Sequence, residues 1–172
     1  AIDAAASEFY KSSEYTLKKE QKQLSSKQLI QYYRKLQGQY EIFSFEDPLS
    51  EDDWEGFKLM MQDKGSTLIV GDDLYTTKVK RIKKGIQEDA TNAVLIKPNQ
   101  IGTLIETIQA IKTAQEGGLK VIISHRSGET EDSFIADLSV ACHADFLKAG
   151  SMSRSERLAK YNRLLEIEEM EM

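Results

Sequence analysis

Cysteine is nearly absent from this 172-residue chain. Cys142 stands alone, so no intrachain disulfide can form, and a reducing, cytoplasmic setting fits best. Its expected role is that of a small apolar residue on a helix. Long apolar runs are lacking too: none approaches the roughly 20 residues that span a bilayer, and no basic segment leads into an apolar one at the start. Neither a membrane span nor an obvious export signal is expected. Positive charge is in deficit. Lys and Arg number 23 against 28 Asp and Glu, a net charge of -5, which argues against nucleic acid as the main partner because phosphate neutralisation needs a basic face. The lysines at 18, 19 and 22 lie in the least core-like part of the chain, residues 14–26, which reads as a solvated loop or hairpin. An initiator Met is also lacking. Residues 1–7 read as a strand already under way, so the chain is expected to be a piece of a longer one.

What is present is a repeat of two periods. With 40% hydrophobic and 30% charged residues the chain can build one domain with a real core. Short apolar runs at 2–5, 42–45, 67–70, 93–96, 121–123 and 146–147 read as strands. Between them apolar residues fall three and four apart: Leu29, Tyr33 and Leu36; Trp54, Phe57 and Met61; Val79, Ile82 and Ile86; Leu104, Ile108 and Ile111. This alternation predicts an α/β fold of repeated βα units around a parallel sheet. Ser50, three residues before Asp53, reads as an acidic capping box, and Gly117-Gly118 as a helix stop. A final helix is expected from residue 155 to about 170.

Each strand is followed at once by polar or charged residues: Asp3, Glu46-Asp47, Asp72-Asp73, Lys97, Ser124-His125-Arg126 and Lys148. They recur about once per βα unit, so they should converge on the carboxyl face of a barrel-like sheet. Asp3, Glu46 and Asp72 meeting there would repel one another. A hard divalent cation resolves that, and oxygen donors without Cys or clustered His point to magnesium over zinc or copper. Lys97, Arg126 and Lys148 would hold an anion against it. The alternative is a set of ordinary salt bridges at a barrel rim. In residues 124–132, a strand ending in hydroxyl, imidazole and guanidinium turns through Gly128 into a helix, the layout of an anion site. His125 is either a substrate contact or a satisfied structural imidazole; His143 reads as a helix-end residue.

At this point several blocks carry a resemblance. Ser44-Phe45-Glu46-Asp47-Pro48, Asp52-Asp53-Trp54-Glu55-Gly56, Gly71-Asp72-Asp73-Leu74, the run 95–103, the run 124–132 and the run 154–162 together closely resemble the enolase family, the phosphopyruvate hydratases, from Asp3 to Glu169. The resemblance implies a partial TIM-type (β/α) barrel, the last six βα units of the enolase C-terminal domain. Residues 1–172 would then be the C-terminal portion of that catalytic barrel, with the N-terminal domain and the start of the barrel absent. It implies a cytoplasmic, magnesium-dependent enzyme of glycolysis and gluconeogenesis that interconverts 2-phosphoglycerate and phosphoenolpyruvate. It would be a homo-oligomer when complete, with no nucleic-acid or membrane partner. Residue by residue, the resemblance implies Asp3, Glu46 and Asp72 as Mg2+ ligands and Lys97 as the catalytic base. Arg126 and Ser127 would contact the substrate phosphate, His125 would line the pocket, and Lys148 would pair with the substrate carboxylate.

The chemistry asks for these residue types. A proton on carbon next to a carboxylate is weakly acidic, so its removal needs a base and stabilisation of the charge that develops. Lys97 can serve only if it is neutral when substrate is bound, and a neighbouring Lys148 and the metal favour that form; a Lys base with magnesium is the enolase-superfamily pattern. One departure is Asp145-Phe146-Leu147-Lys148-Ala149-Gly150, where the family usually shows Gly-Gln-Ile-Lys-Thr-Gly, so the hydroxyl beside Lys148 is lost. The resemblance implies that the family's mobile loop and general-acid side lie outside this chain. In isolation it is expected to be inactive and to expose two strand edges. Other readings are a non-catalytic or split-subunit module that needs a partner chain carrying the missing N-terminal half, and, more weakly, a sugar-acid enzyme of the same superfamily.

Overall fold

The computed structural model describes residues 1–171. Strand β1 (Ile2–Asp3) leads through a 3-10 turn (Ala6–Phe9) into β2 (Tyr10–Lys11), β3 (Glu14–Leu17) and β4 (Lys22–Leu24), which form a small antiparallel sheet. Helices and strands then alternate: α1 (Ser26–Gln37), β5 (Ser44–Glu46), α2 (Trp54–Gln62), β6 (Leu68–Gly71), α3 (Val79–Gln87) and β7 (Ala93–Ile96). The short α4 (Pro98–Ile101) and α5 (Leu104–Glu116) precede β8 (Lys120–Ser124), and α6 (Phe134–Ala141) precedes β9 (Phe146–Lys148). Helix α7 (Ser155–Glu171) ends the described chain. The six strands of the main sheet pair in parallel in the order β1-β5-β6-β7-β8-β9. Each neighbour is reached through a helix, which is the partial α/β barrel expected.

Period two sorts the strand residues between the two faces of the sheet. Phe45, Ile69, Val94, Ile96, Val121 and Ile123 are buried in one large core with helix residues such as Phe57, Ile82, Ile111 and Leu138. The alternate residues Leu68, Val70, Ala93, Leu95 and Ile122 pack together on the concave side. Continuing that inner parity to the carboxyl ends names Glu46 on β5, Asp72 after Val70, Lys97 after Leu95, and Lys148 two past Phe146. One alternation therefore gathers the charged set, because a residue that shares parity with an inner apolar neighbour must also face the barrel interior.

The sheet also curls. Phe43, just before β5, meets Phe146 of β9 edge to face at 5.5 Å although four pairings separate their strands. At the other end Lys148 of β9 reaches Asp3 of β1. No ladder joins β1 to β9 among the described residues, so two parallel edges face one another across a cleft.

Local chemistry sets most boundaries. Ser25 and Gln28 form a reciprocal capping box at α1, and Gly117, with Gly118 at φ 76°, ends α5 as expected. Three details differ from the sequence reading. The first strand stops at Asp3, since Ala5 turns left-handed at φ 43°, and the second begins at Ser44 rather than residue 42. The polar segment 14–26 does form a hairpin, β3 with β4, as one of its two readings had it, anchored by Tyr15, which is fully buried while Lys18, Lys19 and Lys22 stay exposed. The cap of α2 is Asp53 itself, not Ser50: its Oδ1 accepts the Gly56 N–H at 3.0 Å. His143 does sit at a helix end, left-handed at φ 50°, donating its backbone N–H to Val140 beside the capping residue Cys142.

Asp53 also joins elements. Its Oδ2 accepts the Tyr15 hydroxyl at 2.8 Å and the Ser26 hydroxyl at 2.6 Å, tying the small sheet and α1 to α2. Asp53→Ala removes a cap worth about 1 kcal/mol and takes the carboxylate acceptor from a buried phenol, at a cost of about 1–3 kcal/mol. A loss of about 2–4 kcal/mol is expected in the full-length protein, read as a lower urea midpoint with an unchanged m-value.

Candidate active site

Asp47 organises the carboxyl end of the sheet. Its backbone N–H donates to Val70 and its carbonyl accepts from Ala6, both at 3.0 Å, so one residue at the end of β5 meets β6 and the 3-10 turn after β1. Its side chain accepts the backbone N–H groups of Asp72, on Oδ1 at 2.9 Å, and Asp73, on Oδ2 at 2.8 Å. The backbone is left-handed there, φ 39°, a conformation Asp tolerates better than most residues. Burial pushes the Asp47 carboxyl up to about 7; the two N–H donors oppose that, and the charges of Asp72 and Asp73 add to it.

The five predicted groups meet at this end. Lys148 Nζ donates to Asp3 Oδ2 at 2.9 Å and to both oxygens of Glu46 at 2.8 Å. Lys97 Nζ pairs with Asp72 Oδ2. Burial lifts the Glu46 carboxyl above the ordinary range; Lys148 opposes this, while Asp3 and Asp72 reinforce it. Burial lowers Lys148, but hydrogen bonds to Glu46 and Asp3 outweigh it and hold its ammonium above the usual lysine value. Two ion-paired sets thus stand side by side, Lys148 with Asp3 and Glu46 and Lys97 with Asp72, near enough for the Asp72 charge to act on Glu46. Asp3, Glu46, His125 and Lys148 line a cleft of about 430 Å³ whose lower walls are Phe43, Leu68, Val70, Ile122 and Phe146.

Two acidic groupings that share Asp72 stand at this end, and among the described residues only the first is tight enough to share one cation. Asp47, Asp72 and Asp73 each offer a carboxylate oxygen within 4.8 Å of the others, but Asp47 already spends both oxygens on backbone donors. Among the described residues the side chains of Asp3, Glu46 and Asp72 hold only lysine ammonium groups, and Oδ1 of Asp72 is buried with no hydrogen-bond partner. That free lone pair beside other oxygen donors fits a hard cation. Asp72 belongs to both groupings, so the lone pair does not choose between them.

Around this set the loops are fixed differently. Thr77 Oγ accepts the Lys97 N–H at 3.0 Å and donates to Gln100 at 2.7 Å, and Pro98 opens α4 directly after Lys97. Arg126 and Ser127 stay on the exposed rim. Arg126 donates to Asn99 at 3.0 Å, and among the described residues neither side chain hydrogen-bonds the carboxylate and lysine set. His125 is half-buried. Its Nδ1 meets the Arg157 guanidinium, and burial, then Arg157, lower its affinity for a proton. Ala149, where the family pattern has a hydroxyl, is buried beside Lys148. Asp145, in place of the usual Gly, ties β8 to β9 through Lys120 at 2.6 Å and the Val121 N–H at 2.9 Å.

Sequence reasoning gave no role to Asp47, Glu129, Arg157 or Lys160. Asp47 could have been found as the second carboxylate of a strand-end pair. The contacts that join Arg157 and Lys160 to the loop with Glu129 carry no local signal, because the partners lie about 30 residues apart.

Residues 1–171 match the family model described as "Enolase, C-terminal TIM barrel domain". Proteins named "Enolase" from two strains of Ureaplasma parvum serovar 3 are each 51% identical over 177 aligned positions, covering 98% of this chain and 40% of the relative. The chain therefore spans less than half the length of these curated relatives.

Asp47→Ala leaves two backbone N–H groups without acceptors at the buried turn after β6. A destabilisation of about 2–4 kcal/mol is expected, with faster hydrogen exchange at the Asp72 and Asp73 amides than at those of β7. Unchanged exchange at these two amides would show that the turn is held by something else.

Proposed function

The chain belongs to the enolase family, and from that premise we propose that the full-length protein reversibly dehydrates 2-phosphoglycerate to phosphoenolpyruvate, with residues 1–172 as the C-terminal portion of its catalytic barrel. The observation that carries the reading is the bridge from Lys148 to Asp3 and Glu46 with the Lys97–Asp72 pair beside it. Such a set suits a substrate with two anionic ends and one acidic C–H bond.

Asp3, Glu46 and Asp72 would hold magnesium. Bound there, it supplies positive charge for the negative charge that develops on the substrate carboxylate. Lys97 takes the proton from the adjacent carbon, so its Nζ must leave Asp72 and be uncharged when the substrate is seated. Lys148 turns from Glu46 to the substrate carboxylate. Arg126, a planar donor on the open rim, and Ser127 bind the phosphate, and Asn99 holds the guanidinium until then. His125 lines the cleft between these groups. The acid that assists hydroxide departure comes from outside these residues, which is why the reading concerns the full-length protein, a cytoplasmic homo-oligomer in this proposal.

The test uses that protein with 2-phosphoglycerate and magnesium. Lys97→Ala is expected to lower deuterium exchange at C2 by about a hundredfold or more, the usual scale for a positioned base, while substrate affinity changes by only a few-fold. Retained exchange would move the base elsewhere, and absence of phosphoenolpyruvate formation by the unmodified protein would favour the non-catalytic module. Arg126→Ala is expected to raise KM roughly tenfold to a hundredfold, the loss of one charge-assisted contact; an unchanged KM would remove Arg126 from the phosphate site.

A further inference from the structure

Helix α7 grips the loop after β8 through two cations. Arg157 donates from Nη1 to the Arg126 carbonyl at 2.9 Å and to Nδ1 of His125, and from Nη2 to the Ser127 carbonyl at 3.1 Å. One guanidinium thus engages three consecutive loop residues. Its side chain passes against Gly150, where φ is +92° and a Cβ would lie 2.9 Å from Arg157 Cδ and 3.2 Å from Cγ. The Tyr161 hydroxyl donates to the Gly150 carbonyl, so α7 also holds the turn after β9.

One turn further along α7, Lys160 is fully buried. Its ammonium pairs with Glu129 at 2.9 Å and donates to the Glu156 carbonyl at 2.7 Å and to the Thr130 carbonyl. A buried ammonium is costly unless its acceptors are all in place. Glu129 in turn accepts the Arg126 N–H at 2.9 Å, closing the loop on itself.

A guanidinium has donors and no acceptor, and it stays charged throughout the accessible pH range. The His125 nitrogen that faces it can only accept. We infer that Arg157 is a positioning residue that fixes His125 as a neutral imidazole with the proton on Nε2, while Lys160 holds the loop that carries it. The inference rests on the reading of this cleft as the 2-phosphoglycerate site. In that cleft the ring edge opposite Arg157 presents an N–H donor to an anionic oxygen, and Arg126 and Ser127 are held in step because their carbonyls share the same fork. Burial, Arg157, Lys148 and Lys160 all disfavour a charged ring, and only Glu129 favours one.

Long-range proton–nitrogen correlation on the full-length protein labelled at histidine reads the tautomer directly, with His125 identified by the signal lost in His125→Asn. The unmodified protein is expected to show protonated Nε2 and bare Nδ1 between about pH 6 and 8, where free imidazole titrates. Bare Nε2 with protonated Nδ1 would overturn the inference without any variant. Arg157→Met is expected to give mixed tautomers, a higher titration midpoint, and a KM for 2-phosphoglycerate raised roughly tenfold with a smaller fall in kcat. Arg157→Lys keeps a donor beside Nδ1, so it is expected to retain the tautomer while KM falls between the other two. A lower melting temperature for Arg157→Met with the tautomer and KM unchanged would make Arg157 merely structural and overturn the inference. The spectrum is read without turnover. An inactive unmodified protein with the expected tautomer would therefore count against the proposed function alone.

Discussion

The carboxyl end of the sheet depends on one buried carboxylate. Asp47 follows Glu46 directly, and its oxygens hold the backbone N–H groups of Asp72 and Asp73, so two of the three proposed metal ligands take their places from a residue that need not touch the metal. The arrangement has a cost, since a left-handed residue and a buried acid each oppose folding. It persists because β5, β6 and the 3-10 turn after β1 meet there: Asp47 bonds Val70 and Ala6 through its own backbone. No surface side chain could impose the same spacing, because its rotamers would be free.

Charge balance follows from that frame. Three carboxylates at one mouth would drive each other to protonate, and the push on Glu46 from Asp3 and Asp72 has that sign. Lys148 and Lys97 offset it by pairing with the same oxygens. The groups that neutralise the acids are the ones proposed to handle the substrate, so the cleft is poised to exchange one set of ionic contacts for another. Helix α7 plays a different part. Its Arg157 and buried Lys160 hold carbonyls and one ring nitrogen of the loop after β8, while its Tyr161 lines the cleft.

Much of this was legible in the sequence. The alternation of periods two and 3.6 sets the order of strands and helices, and the polar residue after each apolar run marks the rim, because both are local consequences of backbone geometry. The family pattern was legible from continuous blocks such as 95–103 and 124–132. Element ends were less so: Ala5 and Asp53 settle theirs through a left-handed turn and a side-chain cap whose partners are not adjacent.

By itself the sequence determined the parallel α/β architecture, the family, and that Asp3, Glu46, Asp72, Lys97, His125, Arg126, Ser127 and Lys148 stand at strand ends or in the loops beside them. Only the tertiary structure decided which of them touch. Lys148 meets Asp3 across 145 positions of sequence because the sheet curls, and Arg126 lies out on the rim against Asn99. The role of Asp47 and the grip of Arg157 on His125 were likewise invisible, since a hydrogen bond is set by distance in space, and no periodicity encodes a contact between segments that meet only after the chain has folded.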